Sequence, residues 1–179
     1  MKEIKLVFIY CIISTFTANS QITKNNWMLS GNASFSTQTN SSAVSLQFKQ
    51  TDILISTGVG YFVIDKFAVG VRPSFSYGSN TVGNSSTVFG IGPFLRYYFL
   101  KNESIINIIS DLNYTYGAIS GGQKTNTYSL YTGPVVYFNT SVGMEFLAGY
   151  STTKIVGFDG RNNKFQFAIG FQFHLEKEK

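Results

Sequence analysis

Few residues of this chain have the means for chemistry. Arg72, Arg96, Asp111 and Glu145 stand alone within long uncharged stretches, and His174 is the single histidine. Two guanidiniums and two carboxylates make a neutral set, and buried charges must be paired. Such a set suits either a selective or gated passage or a plug of paired side chains. A histidine base for acyl transfer needs a nucleophile beside it and an acid to orient it. No Asp or Glu stands at matched spacing from His174, so the chain is expected not to be an enzyme. No helical pattern follows Gly58/Gly60 or Gly90/Gly92, which sets aside a nucleotide loop. These glycines are expected to make room for Arg, Phe and Tyr of neighbouring strands. The only cysteine is Cys11, and one histidine is too few for a zinc site. No metal and no cofactor are expected.

The elements that must position these groups are strands. From Lys164 to Leu175, Phe165, Phe167, Ile169, Phe171, Phe173 and Leu175 alternate with Gln166, Ala168, Gly170, Gln172 and His174. Side chains of a strand alternate faces, so one face is apolar and the other small or polar. The same alternation recurs in Trp27–Phe35, Asp52–Val63, Phe67–Tyr77, Phe89–Phe99, Ile106–Tyr116, Tyr128–Phe138 and Val142–Tyr150, making eight stretches. No segment has a helical apolar stripe. Each stretch is about 9 to 12 residues, the length that a tilted strand needs to cross a bilayer. The four charged residues well inside the stretches, Arg72, Arg96, Asp111 and Glu145, all fall on the polar face.

The connections also alternate. Residues 64–66, 100–105 and 139–141 read as short turns, whereas 78–86, 120–127 and 152–163 read as long polar loops. This asymmetry, with an even strand number, places both termini on the short-turn, periplasmic side. In the first loop, Gln38 to Ala43 reads as the turn, and Val44-x-Leu46-x-Phe48 is out of phase with Ile53-x-Ile55. A bulge near Gln50-Thr51 would reconcile them. Pro73, Pro93 and Pro134 lack an N–H and should each bring a bulge or distorted pairing. A weak repeat, with Phe62, Phe99 and Phe138 spaced 37 and 39 apart, marks hairpins as the unit. Propellers also show such periods, but no Trp-Asp signature is present.

Residues 1–20 have lysines at 2 and 5, an apolar run from Leu6 to Ile13, and the small-x-small Ala18-Asn19-Ser20. That is the grammar of a cleaved secretory signal, and the run is too short to span a membrane as a helix. Residues 21–179 then form one domain without cysteine, which excludes disulfides. Its net charge of +4 is scattered over turns and forms no basic stripe, so no nucleic acid is expected.

Aromatic residues gather at both ends of the stretches. Trp27, Tyr61, Phe67, Tyr97, Phe99, Phe138 and Phe173 lie near the short turns. Phe35, Tyr77, Phe89, Tyr116, Tyr128, Tyr150 and Phe165 lie near the long loops. Two rings of amphipathic side chains at headgroup level are the girdles of membrane barrels. With Trp27-x-Leu29-x-Gly31, the hairpin from Gly60-Tyr61-Phe62-Val63 through Asp65-Lys66 to Ala68-Val69-Gly70, and Pro93-x-x-Arg96-Tyr97-Tyr98-Phe99, the chain resembles the small OmpA/OmpX-like outer-membrane β-barrels of Gram-negative bacteria. The resemblance covers nearly all of 21–175 and implies an eight-stranded antiparallel up-and-down transmembrane β-barrel. It also implies outer-membrane lipid and lipopolysaccharide as surroundings, the barrel-assembly machinery as a partner during insertion, and a monomer.

An eight-stranded barrel has an interior only wide enough for side chains. Depth counted from the turns therefore pairs Arg72 with Asp111 and Arg96 with Glu145, with exchange of partners allowed by strand tilt. The expected role is envelope integrity, or contact with an extracellular partner through the long loops. A narrow porin-like pore is one alternative. A soluble lipocalin-like carrier, with its apolar face turned inward, is another.

Overall fold

The computed structural model describes residues 22–41, 47–80 and 85–175, and side chains over 22–36, 51–79 and 85–175. The expected signal segment, residues 1–20, and the charged tail 176–179 lie outside the described residues. Eight antiparallel strands form one closed barrel in sequence order: β1 (Trp27–Ser41), β2 (Gln47–Ile64), β3 (Phe67–Asn80), β4 (Ser85–Tyr98), β5 (Ile106–Ile119), β6 (Lys124–Tyr137), β7 (Val142–Ile155) and β8 (Arg161–Leu175). The last strand returns to the first in register from Trp27 opposite Leu175 to Phe35 opposite Phe167. That pairing removes the two remaining sheet edges.

The apolar face of every strand is the outside. Phe167 and Ile169 are 67% and 55% exposed, whereas Ala168 between them is 3% exposed. The same holds for Ile53 and Ile55 on β2, Ile91 and Leu95 on β4, and Leu112 on β5. A soluble carrier of this topology would hide these residues, so the lipocalin-like alternative falls. Such a continuous exposed apolar belt is stable only against lipid. Trp27, Leu175 and the other aromatic and aliphatic residues at the terminal end close the belt below. Phe35, Phe89, Tyr150 and Phe165 close it above. All residues of the two expected rings lie on outward positions, Tyr61 and Phe67 half-buried and the others exposed. Edge-on contacts link Trp27 to Tyr61 at 5.1 Å and Tyr97 to Phe99 at 5.0 Å.

The strands outlast the apolar stretches that mark them. They run 14 to 18 residues, so they continue past the upper ring as a polar ribbon. Among the described connections the expected long loops are consequently absent. β5 and β6 are joined by four residues, 120–123, and β7 and β8 by five, 156–160. Gly121 and Gly122, at φ of 108° and 90°, supply the left-handed backbone that so tight a turn demands. The longest described connection, 99–105, lies at the other end, where Asn107 ties it down by accepting from Leu100 N at 3.0 Å. Loop length thus gives no asymmetry, and the strand extensions alone distinguish the two ends.

The first hairpin also differs from expectation. Residues 38–41 are strand rather than turn, and pairing runs unbroken from Trp27 opposite Tyr61 to Ser41 opposite Gln47. No bulge interrupts Gln50-Thr51, which stand opposite Gln38 and Thr37. Among the described pairings the register shifts only between Phe62 and Ile64, beside the Asp65-Lys66 turn. At the prolines the ladder is interrupted on one side without changing register. Pairing lapses around Pro73 towards β2, around Pro93 towards β5 and around Pro134 towards β7, and resumes in step. The opposite side of each proline stays paired, with Ile91, Val71 and Ile108 respectively. A proline removes a donor on one side only, so a closed barrel tolerates it at the cost of one ladder bond.

Candidate functional site

The interior is built in three tiers, beginning at the terminal end. There the chain before β1 folds into the bore, and Ile22 is fully buried with Met28, Phe62 and Tyr98. Backbone bonds fasten this stopper: Lys66 N donates to Ile22 O at 2.8 Å, and Phe62 N to Asn26 O at 3.0 Å. His174 completes it, enclosed by the rings of Phe62, Tyr98 and Tyr137 at 5.5, 6.0 and 5.8 Å. Neither imidazole nitrogen has a hydrogen-bond partner, so no acid orients His174 as a base.

The second tier is the charged set. Arg72 grips Asp111 in a two-pronged contact, Nη1 to Oδ1 at 2.6 Å and Nη2 to Oδ2 at 2.7 Å. Arg96 donates from Nε to Asp111 Oδ2 at 2.8 Å and from Nη1 to Glu145 Oε2 at 2.8 Å. Asp111 is therefore shared. The register explains this, since Arg96 and Asp111 face each other directly across β4 and β5. Depth counted from the turns treats the 99–105 connection as equivalent to shorter ones and so misses that partner. All four residues are buried, Arg96, Asp111 and Glu145 completely. Charged pairs at such depth are favourable only when further hydrogen bonds surround them. Gln172 supplies one, accepting from Arg96 Nη1 at 3.0 Å and from Tyr98 Oη at 2.7 Å, and it donates to Tyr137 Oη at 3.0 Å. Asn113 Nδ2 donates to Asp111 Oδ1 at 3.3 Å.

Glycines give these side chains their space. The Arg72 guanidinium lies 4.3 Å over the Phe94 ring, and that ring would lie within 2.9 Å of a Cβ at Gly60 and 2.6 Å of one at Gly70. Tyr131 lies across Gly149, where a Cβ would come within 2.1 Å of the ring, and receives a hydrogen bond from Gln166.

Above the network the filling stops. Inward positions of the upper strands are mostly Ser, Thr, Asn and Gly, with Leu54, Val88, Ile119 and Ile155 among them, and they leave the centre of the bore open. They leave an open cup of roughly 660 Å³ with Arg72, Asn113 and Tyr131 among its lining. The expectation of a filled lumen thus holds for the lower bore alone. An ion pair, Lys164 with Asp52, spans β8 and β2 inside the cup. It escapes the sequence because Asp52 and Lys164 are the outermost residues of their alternating stretches, where loop was expected to begin, whereas the strands continue past them. Tyr98, Gln172 and Met28 also join the network, and although the alternation places them on the inward face, nothing in their spacing points to these partners. Among the described residues no group of three His, Cys, Asp or Glu stands close enough to hold a metal.

No protein-family model matches the chain, and no curated protein sequence matches it. Solved structures do share its fold. Neisserial surface protein A superposes with a TM-score of 0.57 at 14% identity, over 83% of this chain and 96% of that one. The outer membrane protein OprG from Pseudomonas aeruginosa superposes with a TM-score of 0.59 at 11% identity, over 89% of this chain and all of that one. Identity this low speaks for the fold alone.

Proposed function

We infer, from a fold shared with small outer-membrane β-barrels, that this chain is an integral outer-membrane barrel that seals its own bore and serves the envelope as a structural, surface-presenting protein. The observation that carries this reading is the closed lower bore. Ile22, Phe62, Tyr98 and His174 fill it, with a buried four-charge network stacked above them. Both termini then lie in the periplasm, and the polar strand extensions and the open cup face outward. The cup favours the narrow-pore alternative as far as its floor, where Arg72 and Asp111 already block it. No catalytic step is assigned to the chain.

Two measurements test the reading. In planar bilayers, the folded full-length protein should give no conductance above that of lipid alone. A defined channel conductance would overturn the sealed reading in favour of the pore. In a deletion strain, the envelope should become more permeable to large hydrophilic dyes, and an unchanged envelope would remove the structural role.

A further inference from the structure

Outward charge on the strands is gathered at one place among residues whose side chains are described. Among those residues, Lys124 on β6, Lys154 on β7 and Arg161 on β8, the last also at the rim of the cup, are the only charged groups at outward strand positions. All are cations, on three adjacent strands. They sit just past the upper aromatic ring, in the ribbon that continues Tyr128, Tyr150 and Phe165. The equivalent outward positions on β3 and β4 are uncharged, at Ser79, Ser85 and Thr87.

The register brings the cations together. Lys154 stands directly opposite Arg161, and Asn126 directly opposite Lys154. Like charges directly opposite each other across an antiparallel pair destabilise it. Among the described residues no carboxylate lies within 4.0 Å of any of the three to offset this, Asp159 two positions before Arg161 included. Lys124 is bonded to Val156, two residues above Lys154, so the three spread over two inter-strand spacings and two residues of rise, about 12 Å. Just below them the face turns from charged to polar and then aromatic. Thr152 and Asn163 stand opposite each other, and Tyr114 Oη donates up to Asn126 Oδ1 at 2.7 Å. The Tyr114 and Tyr128 rings pack at 5.1 Å beneath. Lys124 reaches over Tyr116 at 6.0 Å.

We propose that this patch is a docking site for a phosphorylated glycolipid of the surrounding outer leaflet. Charge complementarity places its phosphates on Lys124, Lys154 and Arg161, its sugar hydroxyls on Asn126, Thr152 and Asn163, and its acyl chains on the tyrosine and phenylalanine belt. A phosphate offers the counter-charge that the Lys154–Arg161 pair lacks, and Arg holds it in a forked contact. This assignment rests on the reading that the end opposite the termini faces outward.

The test is native mass spectrometry of the full-length protein in detergent micelles, titrated with bisphosphorylated lipid A. A cation near an anionic headgroup is worth about fivefold in affinity. The Lys124→Gln/Lys154→Gln/Arg161→Gln variant should therefore bind roughly tenfold to a hundredfold more weakly. The control Lys24→Gln/Lys66→Gln/Lys101→Gln, at the terminal end, should bind as the parent does. Dephosphorylated lipid A should lose affinity for the parent and change little for the triple variant. Equal binding by both variants would overturn the proposal, as would retention of phosphatidylglycerol as tightly as lipid A. Heat-dependent gel mobility, read on the same samples, separates the outcomes. A barrel that folds but ignores the phosphates refutes the docking site, whereas a chain soluble without detergent refutes the membrane reading beneath it.

Discussion

Replacing Arg96 probes the network at its hub. Arg96→Met removes the one guanidinium that contacts both carboxylates. Asp111 keeps its two-pronged contact with Arg72, so its charge remains compensated. Glu145 keeps no cation among the described residues, and it is fully buried. Breaking a buried pair by removing one partner costs about 3–5 kcal/mol, because an uncompensated charge is left behind. With one carboxylate stranded, the expected loss is about 4 kcal/mol. Arg96→Met/Glu145→Gln restores a neutral interior, leaving the Arg72–Asp111 pair intact. It should recover about 2–3 kcal/mol of the loss, the size of coupling seen between residues in one network. Urea titration of the protein folded in lipid vesicles measures both. Heat-dependent mobility and the fluorescence of Trp27, the only tryptophan, serve as readouts. A loss below about 1 kcal/mol for Arg96→Met, or a double variant less stable than the single, would refute the claim that charge balance holds this tier together.

Other substitutions probe the remaining tiers. Ile169→Arg places a charge on the lipid face midway between Phe165 and Phe173, and should cost about 2–4 kcal/mol by the same titration. Gly92→Val should prevent folding or cost about 3 kcal/mol, since a Cβ there would meet the Tyr114 carbonyl oxygen at 1.8 Å, a backbone atom that cannot retreat. Gly58→Ala meets Ser30 Oγ at 2.8 Å, a side-chain tip that can rotate, and should cost less than about 1.5 kcal/mol. His174→Leu removes two nitrogens that have no partner and should change stability by less than about 1 kcal/mol. A loss above about 2 kcal/mol would show that His174 has a polar role in the stopper.

The sequence reveals what period two can reveal. Alternation identifies all eight strands and their faces, because a lipid-facing side must be continuously apolar and any slip would turn it inward. The same rule puts Arg72, Arg96, Asp111 and Glu145 inside. It does not reveal who pairs with whom, since the Asp111–Arg96 contact depends on how β4 and β5 are staggered after the 99–105 connection. Strand ends are hidden for another reason. Beyond the bilayer nothing demands apolar residues, so 117–119 and 124–127 look like loop while continuing the ladder. That concealed the short turns, the Asp52–Lys164 pair and the cup. The stopper left no signal because Ile22 is a single apolar residue in a polar stretch, held by its own backbone bond to Lys66 and by those of Asn25 and Asn26 to Phe62.

Accessibility along β8 tests the central claim most directly. Cys11 is the only cysteine of the chain, so with Cys11→Ser a spin label can be placed singly at each position from 165 to 175 of the protein in vesicles. Odd positions should be reached by oxygen, which concentrates in lipid, and even positions from 168 to 174 by neither oxygen nor a water-soluble nickel complex, whereas 166 borders the open cup and is reached by the nickel complex. A period of two, with the oxygen maximum near Ile169, is the predicted result. Odd positions open to the nickel complex, or accessibility without alternation, would contradict a lipid-facing barrel with a packed interior.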